Sequence, residues 1–508
     1  MGSQLSKVTY QGWPGGLNLL ADKLQVMPIQ LTEAKNVLLM TNGVVATRPG
    51  VTSLNSLYQF FDVLSIWNGK ANKYCYHSSD GTLRDGGGNV LKTYVHAGAY
   101  YGQFVFFNNT LLHCNGYDIM QQWDCLAANT SDVAGSPFTT MLIKHNDRIF
   151  GAAGSVLYET SVNTATDWAG GAVWNIGINE GGDITGLASL NSDLYIFKYN
   201  RIYRMTGYAT TERVIGLYAK DIGTVEPYSI QTVNLTGLGQ AIVFLSTDKR
   251  LMVMTLTMNG NIGECIQPLL DTVAISEGPA RCQSAISVLH RQYMLSFPAT
   301  GTNLKKTCLC LHYESAYKSQ YGTRWGITQY QAGIEPQNAP VTFQAISESI
   351  DYDVIFASLA VTITGAYNLY YFDPTASGDG NDKMVGSRVP IASSFRTRDE
   401  DCGNHDKLKQ FRRTMLRMSS SAGSAVSLAV NFYQYVDEKI LAQTTGESPS
   451  SDVNVAWGDI FDYWIDLVNS AKHCALRFDM SQNTAPFSAF RIAAIEIFYK
   501  PSASENRP

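Results

Sequence analysis

Apolar and polar positions alternate with a period of two over short runs, and the runs come in pairs separated by Gly, Asn or Asp. Such alternation predicts half-buried strands, and the residues between them suit tight turns, so each pair predicts a β-hairpin. The clearest hairpins cover residues 102–107 with Asn108-Asn109 as the turn, 147–150 through Gly154 to 156–158, and 193–197 through Asn200 to 202–205. Three more follow: 241–245 through Thr247-Asp248 to 251–254, 292–295 leading to 308–311, and 352–356 leading to 369–372.

Within these hairpins Phe104, Ile149, Leu194, Ile242, Tyr293 and Val354 are spaced 45, 45, 48, 51 and 61 residues apart. That period suits a propeller blade, a four-stranded antiparallel sheet of roughly 40 to 50 residues that buries both faces only by stacking radially against others. An earlier hairpin, Lys73-Tyr74-Cys75-Tyr76 with a Ser79-Asp80-Gly81 turn, precedes Phe104 by 30 residues, too few for a full blade. Trp123, Trp168 and Trp325 are expected to be sheet-packing aromatics. No blade carries a Trp-Asp, Gly-His or clear Gly-Gly signature, so the repeat is degenerate.

The two ends read differently. Residues 1–55 hold strand-like stretches rich in turns around one short helical candidate at Thr32-Glu33-Ala34-Lys35-Asn36. From 386 to 508 the alternating runs lengthen: Val426, Leu428, Val430 and Phe432 face one way, as do Cys474, Leu476, Phe478 and Met480, and Ile495, Ile497 and Tyr499 end the pattern. Runs of this length predict a half-buried antiparallel sheet or sandwich. The expected fold is all-β: a degenerate β-propeller over 56–385 and an additional antiparallel β-sheet or sandwich domain formed by the chain ends, with 1–55 packing on 386–508 and a disordered tail from Ser502.

Composition narrows the function. Charged residues are 16% of the 508 and the formal net charge is −5, so no basic field is present to condense on phosphates, and a nucleic-acid binder driven by counterion release is disfavoured. No apolar run of about 18 residues occurs and the N-terminus lacks a basic segment before an apolar core, so the expectation is a soluble, unprocessed protein without membrane insertion. Met1-Gly2-Ser3-Gln4-Leu5-Ser6 does fit the short myristoylation pattern. The nine cysteines are scattered without a Cys-x-x-Cys pair and are expected to be reduced, mostly buried thiols, with Cys308 and Cys310 on one strand face.

Motifs for catalysis are missing. Gly86-Gly87-Gly88 and Gly69-Lys70 lack the context of a phosphate loop and read as turns, and neither Gly-x-Ser-x-Gly nor His-Glu-x-x-His occurs. His113, His145, His290 and His312 fall in or beside hairpins and read as structural. A calcium loop from Asp379 would place Pro390 where a bidentate glutamate is required. Asp399-Glu400-Asp401 reads as a solvated loop. The concentrated basic stretch includes Lys407, Lys409, Arg413 and Arg417, which on a strand share one face with Phe411 and Met415; that face reads first as solvated, and alternatively as a partner-facing surface for an acidic protein or a phosphate backbone. The sequence therefore implies no enzyme, no cofactor and no metal.

The phrases Gly15-Gly16-Leu17-Asn18, Leu31-Thr32-Glu33-Ala34-Lys35-Asn36-Val37, Asn42-Gly43 and Arg48-Pro49-Gly50-Val51 resemble the opening of the tail nozzle proteins of short-tailed phages, also called tail tubular protein B or DNA-stabilisation proteins. The family's propeller phrase is similar to Asn146-Asp147-Arg148-Ile149-Phe150, Leu157-Tyr158-Glu159-Thr160-Ser161 and Trp168, then Leu194-Tyr195-Ile196-Phe197, Arg201-Ile202-Tyr203 and Gly207. Its C-terminal phrase is similar to Phe395-Arg396-Thr397, Gly403 and Lys407. The resemblance spreads over most of the chain and rests on the order of the phrases. It implies a virion structural protein assembled in the host cytoplasm: a homohexameric ring below the head-to-tail adaptor ring, carrying tail fibres or other appendages, retaining packaged DNA and letting it pass without specific binding at ejection. The competing expectation is a stand-alone β-propeller that binds a glycan or protein partner.

Overall fold

Every residue of the strand Asp193–Lys198 is buried, although each face of a strand can meet only one neighbour. Leu194 and Ile196 pack with Phe150 and Leu157 on one side, whereas Tyr195 and Phe197 pack with Ile242 and Phe244 on the other. The strand therefore belongs to a sheet covered on both faces by other sheets. The same division recurs at Ile242 and Phe244 against Ala241, Val243 and Leu245, and at Val354 and Phe356 against Ile355.

The computed structural model describes residues 5–41, 43–55, 63–70, 73–96, 101–275, 281–301, 305–319, 322–331, 343, 345–349, 351–359, 367–372, 381–384, 387–391, 393–403, 407–420, 430–436, 439–444, 460–467, 470–480 and 490–501. Seven antiparallel sheets stand around one axis. Their inner strands are Val63–Lys70, Gln103–Phe107, Met141–His145, Ile184–Leu190, Gln231–Leu235, Gln283–Ser287 and Ala345–Ser349, in blades 1 to 7. Each inner strand lies beside the next, and the seventh pairs in parallel with the first at Ser349 and Asn68, which closes the ring. Seven apolar clusters fill the seven gaps between blades.

Blade 7 takes its fourth strand from Val51–Asn55, ahead of blade 1, with Val51 opposite Phe372. Asn381–Met384 and Ser387–Pro390 extend that sheet further. The hairpin at Lys73 belongs to a full blade, contrary to expectation: Lys73–Ser78 is the second strand of blade 1, followed by Thr82–Asp85 and Val90–Thr93. The short spacing arose because Phe104 lies on a first strand, while the other five markers lie on second strands. Leu112 is the equivalent position, 37 residues after Cys75 and 37 before Ile149.

The chain ends build a second β domain on blade 6. Its outer strand, Gly322–Tyr330, is no free edge: Gly16-Leu17 adds to it in parallel, and Gln30–Lys35, Ser393–Thr397, Cys474–Met480, Val430–Val436 and Lys439–Thr444 continue the same sheet. A second sheet of Val37–Leu39, Val45–Thr47, Phe490–Pro501, Lys409–Ser420 and Ile460–Asp466 supplies Leu416, Ile495 and Ile497 to the core shared with Trp13, Leu31, Phe395 and Phe478. Ser6–Gln11 pairs with Phe490–Pro501, joining the two ends directly. Residues 32–35 are strand rather than helix, because a helix of five residues cannot repay its nucleation while a strand here gains partners on both sides. Gly16 has φ +59°, and a Cβ there would stand 2.5 Å from both the backbone N and O of Ile327. Val426, Leu428 and residues 502–508 lie outside the described residues.

Buried polar groups tie neighbouring blades. Glu159, fully buried in blade 3, accepts hydrogen bonds from Arg148 and from Thr210, both at 2.7 Å, and lies 3.1 Å from Arg213. Arg213 and Thr210 come from the loop before the outer strand of blade 4, and the Arg213 guanidinium packs against Phe150 and Trp174, whose rings stack on each other. One carboxylate thus faces two guanidinium groups across a blade boundary. All nine cysteines are free, and Cys308 and Cys310 share one buried cluster. Trp123, Trp168 and Trp325 are buried in inter-blade clusters.

The histidines also pack. His77 and His113 stand 5.0 Å apart between blades 1 and 2, with the Tyr94 hydroxyl on His113 Nδ1, and His312 lies 2.8 Å from the Thr328 hydroxyl. Burial pushes His77 down to about 4, His145 to about 4 and His312 to about 3; His113 is driven well below its usual range by burial and by His77. Because these folded-state values lie below the unfolded value near 6.5, the unfolded chain takes up the protons first. Stability is full above pH 6.5 and declines as the pH falls toward 4, by about 1.4 kcal/mol per histidine per pH unit once within that window. Thermal unfolding at pH 7.5, 6 and 5 is expected to show a falling Tm, and His77→Gln is expected to flatten that fall.

Candidate functional site

The inner strands enclose an axial cavity of about 1140 Å³. It lies where the seven sheets converge, so each blade contributes residues from one strand: Trp67 and Asn68 from blade 1, Gln103 and Val105 from blade 2, Ile143 from blade 3, Leu187 from blade 4, Gln231 from blade 5, Ser284 and Ile286 from blade 6, and Glu348 from blade 7. At the end where the inner strands begin, Tyr228 reaches from the short turn before blade 5 to the Gly102 carbonyl at the head of blade 2, three blades round the ring. Its ring stands 5.7 Å from that of Tyr101, whose hydroxyl accepts the backbone N–H of Arg281. These contacts bar the axis.

The other end is formed by the loops after the inner strands. There Asp353, at φ +63°, accepts the N–H groups of Val288 and Leu289 at 2.8 and 3.0 Å and the Ser287 hydroxyl. This docks the blade 6 hairpin on blade 7 and leaves Val288 and Leu289 exposed beside the opening. Tyr352, Tyr371 and Asp351 complete the rim. Glu348 is exposed to the open cavity, and its carboxyl is pushed above the usual carboxylate range by desolvation and by Asp353, against one N–H bond from Ile286. Among the described lining residues there is no lysine, arginine or histidine.

Most residues singled out from the sequence lie elsewhere. Of the basic stretch, Lys407 is exposed just ahead of a central strand of the terminal domain, and Lys409 is buried with Nζ donating 2.9 Å to the Lys472 carbonyl. Register shifts between Phe411 and Arg413, so the strand changes parity: Lys409 and Phe411 point into the core, while Arg413 and Arg417 point out. The four do not share a face. Arg413 covers Trp464 and Phe498, and Arg417 makes two hydrogen bonds to Asp462 at 2.9 and 3.1 Å.

Asp399 and Glu400 are buried, not part of a solvated loop. Arg396 holds Asp399 at 2.9 Å, while Arg398 at 2.9 Å, Tyr10 and the Cys402 N–H hold Glu400. Each acid is neutralised by the arginine two or three places before it, which is what lets it be buried. Asp379 lies outside the described residues. Among the described residues, no three His, Cys, Asp or Glu side chains converge to hold a metal, and no helix is long and apolar enough to cross a membrane.

No protein-family model and no curated protein matches this sequence. Among solved structures, it is similar to YCF48 bound to D1 peptide, at 11% identity and TM-score 0.42, covering 64% of this chain and all of that one. It is also similar to the β-propeller domain of Cps50 (Swd1) from Myceliophteria thermophila, at 10% identity and TM-score 0.37, covering 62% and 98%. The propeller itself follows from the sheet order and the closed ring of inner strands.

Proposed function

We propose that this chain is a structural virion protein without catalytic activity, a tail nozzle subunit that assembles as a homohexameric ring beneath the head-to-tail adaptor ring and closes the tail tube until DNA is ejected. The observation that carries the reading is the continuous sheet through blade 6 into the domain built from both chain ends, which makes one stiff block of two bodies. The ordered phrases of the sequence add to it, since Gly16-Leu17 and Phe395-Arg396-Thr397 both lie in that sheet.

In this reading the conduit lies between copies of the chain. Tyr228 and Tyr101 bar the propeller axis, and a duplex has no passage there. A net charge of −5 per subunit suits a wall along which DNA slides, because cationic walls would add phosphate contacts that must break as the molecule moves. Ring contacts are heterologous and close by rotation, so Lys407, Arg413 and Arg417 would face a neighbouring subunit, the adaptor ring or a tail appendage.

Native mass spectrometry of the purified chain, with cryo-electron microscopy of the particle, tests this. A hexamer located in the tail is expected; a monomer at all concentrations that never enters a particle overturns it. A second reading, a stand-alone propeller that binds a glycan or protein, is favoured by the axial cavity. A monomer that binds a saccharide array would select it.

A further inference from the structure

The second sheet of the terminal domain carries an aromatic ledge on its outer face that the fold does not need. The sheet turns Leu416, Ile495 and Ile497 into the core, so Arg413, Trp464 and Phe498 stand on the opposite side. Trp464, at 45%, is the one exposed tryptophan among the described residues. Its ring lies 5.4 Å from that of Phe498, and the Arg413 guanidinium covers both, 4.4 Å from Trp464 and 5.2 Å from Phe498. Arg417 and Lys7 on the same face are matched by Asp462 and Glu496. Arg413 is not: Asp466 is its cross-strand neighbour, yet the guanidinium rests on the rings and makes no ion pair among the described residues.

Stacking fixes the plane of a guanidinium and leaves its N–H fork available to an incoming carboxylate. Tryptophan and arginine are also the side chains that dominate protein contacts once desolvated. The surface that fits this ledge presents carboxylates beside an apolar spot. One such surface lies on the propeller, where the loops before the outer strands of blades 3 and 4 are stitched to the turn at 146–147. The Asn163 N–H donates to the Asp147 carbonyl at 2.8 Å, and the Tyr208 hydroxyl donates to the Asp147 carboxylate at 3.1 Å. Val162 and Tyr208 are exposed in these loops, as are Asp147, Asp167 and Glu212. The loops hold no exposed lysine or arginine, since Arg148 and Arg213 turn inward onto Glu159.

We propose that the ledge of one copy docks on the blade 3 and blade 4 loops of a second copy, with Trp464 against Val162 and Tyr208 and Arg413 among the acids. Ledge and loops are both exposed within one chain, so their meeting takes two copies. The inference rests on the ring reading above and names its contact: two unlike surfaces joined head to tail, the arrangement that closes by rotation.

Native mass spectrometry of the full chain tests the contact with two variants, Arg413→Glu with Trp464→Ala on the ledge and Asp167→Arg with Glu212→Arg on the loops. Each is expected to raise the concentration needed for assembly by about thirtyfold or more, with far-UV circular dichroism and Tm unchanged. The milder Arg413→Ala and Glu212→Gln are expected to weaken assembly in the same direction, which keeps the test open should a double variant unfold. Arg250→Glu, in an exposed turn of blade 5, is expected to assemble like the parent. Because the two double variants spoil opposite halves of one contact, their mixture is expected to give one-to-one dimers that grow no further. Assembly of both variants at the parent's concentration overturns the inference and leaves the hexamer standing. A parent of another stoichiometry that the same variants dissociate overturns the hexamer and leaves the contact. A parent that stays monomeric at every concentration overturns both, and a saccharide bound by the monomer and lost in Trp464→Ala overturns the contact in favour of a glycan site.

Discussion

Glu159→Gln is expected to cost the propeller about 3–5 kcal/mol, because it removes the carboxylate from a buried site and leaves the Arg148 and Arg213 charges facing each other across the boundary of blades 3 and 4. Glutamine keeps the volume and one acceptor for Thr210, so packing changes little and the loss is electrostatic. Differential scanning calorimetry should show the main transition several degrees lower. The companion test is Glu159→Gln combined with Arg213→Met, which takes away one of the two guanidinium charges left over and keeps a long side chain beside Phe150 and Trp174. The double variant is expected to recover part of the loss, since it removes the repulsion between Arg148 and Arg213 but leaves Arg148 without its carboxylate. A single variant within 1 kcal/mol of the parent would show that water already screens the two arginines.

The second large effect lies at the seam between the two bodies. Gly16→Val is expected to destabilise the joint by about 3 kcal/mol, from left-handed backbone strain in a β-branched residue plus the collision of its Cβ with the Ile327 backbone. Only the parallel pairing at Gly16 and Leu17 is directly attacked, so the expected result is uncoupling rather than collapse. Hydrogen exchange should rise at 16–17, 30–35 and 322–330 while the inner strands of blades 2 to 4 stay protected. Gly216→Val is the control: it lies in the exposed outer strand of blade 4, nothing stands within 4 Å of its Cβ, and a change within about 0.5 kcal/mol is expected. Equal protection patterns in the two variants would mean that the terminal domain does not depend on the seam.

Much of the architecture can be read along the chain because a propeller is local: strands that pair are neighbours in sequence, so the hairpins at 104, 149, 194, 242, 293 and 354 are all real. Blade 1 is less legible, because Phe104 lies on a first strand while the positions that mark the later blades lie on second strands, so the spacing makes a full blade look truncated. The last strand of blade 7 could not be found by any local rule, since Val51 meets Phe372 only after the ring has closed. The same holds at 32–35, where a weak helical preference yields to partners on both sides.

The candidate site was harder. Each axial residue is a lone position on its own strand, and nothing in the spacing between Trp67, Glu348 and Tyr371 reveals that all three line one cavity. The basic strand failed for a different reason: strict alternation from Lys407 to Arg417 assumes an unbroken strand, and the bulge near Arg412 inverts it.

The pairing of Ser6–Gln11 with Phe490–Pro501 sets a timetable for biosynthesis. At about 5–20 residues per second, the first strand waits roughly 25–100 s on the ribosome before its partner emerges. Blades 2 to 5 can form in the meantime, each from contiguous chain, but Ser6–Gln11 cannot settle until residues 490–501 have emerged. A nascent chain of this design has to keep its first fifty residues from pairing with the wrong neighbour for most of its synthesis, and crowded polysomes making many copies are where mispairing between chains would begin.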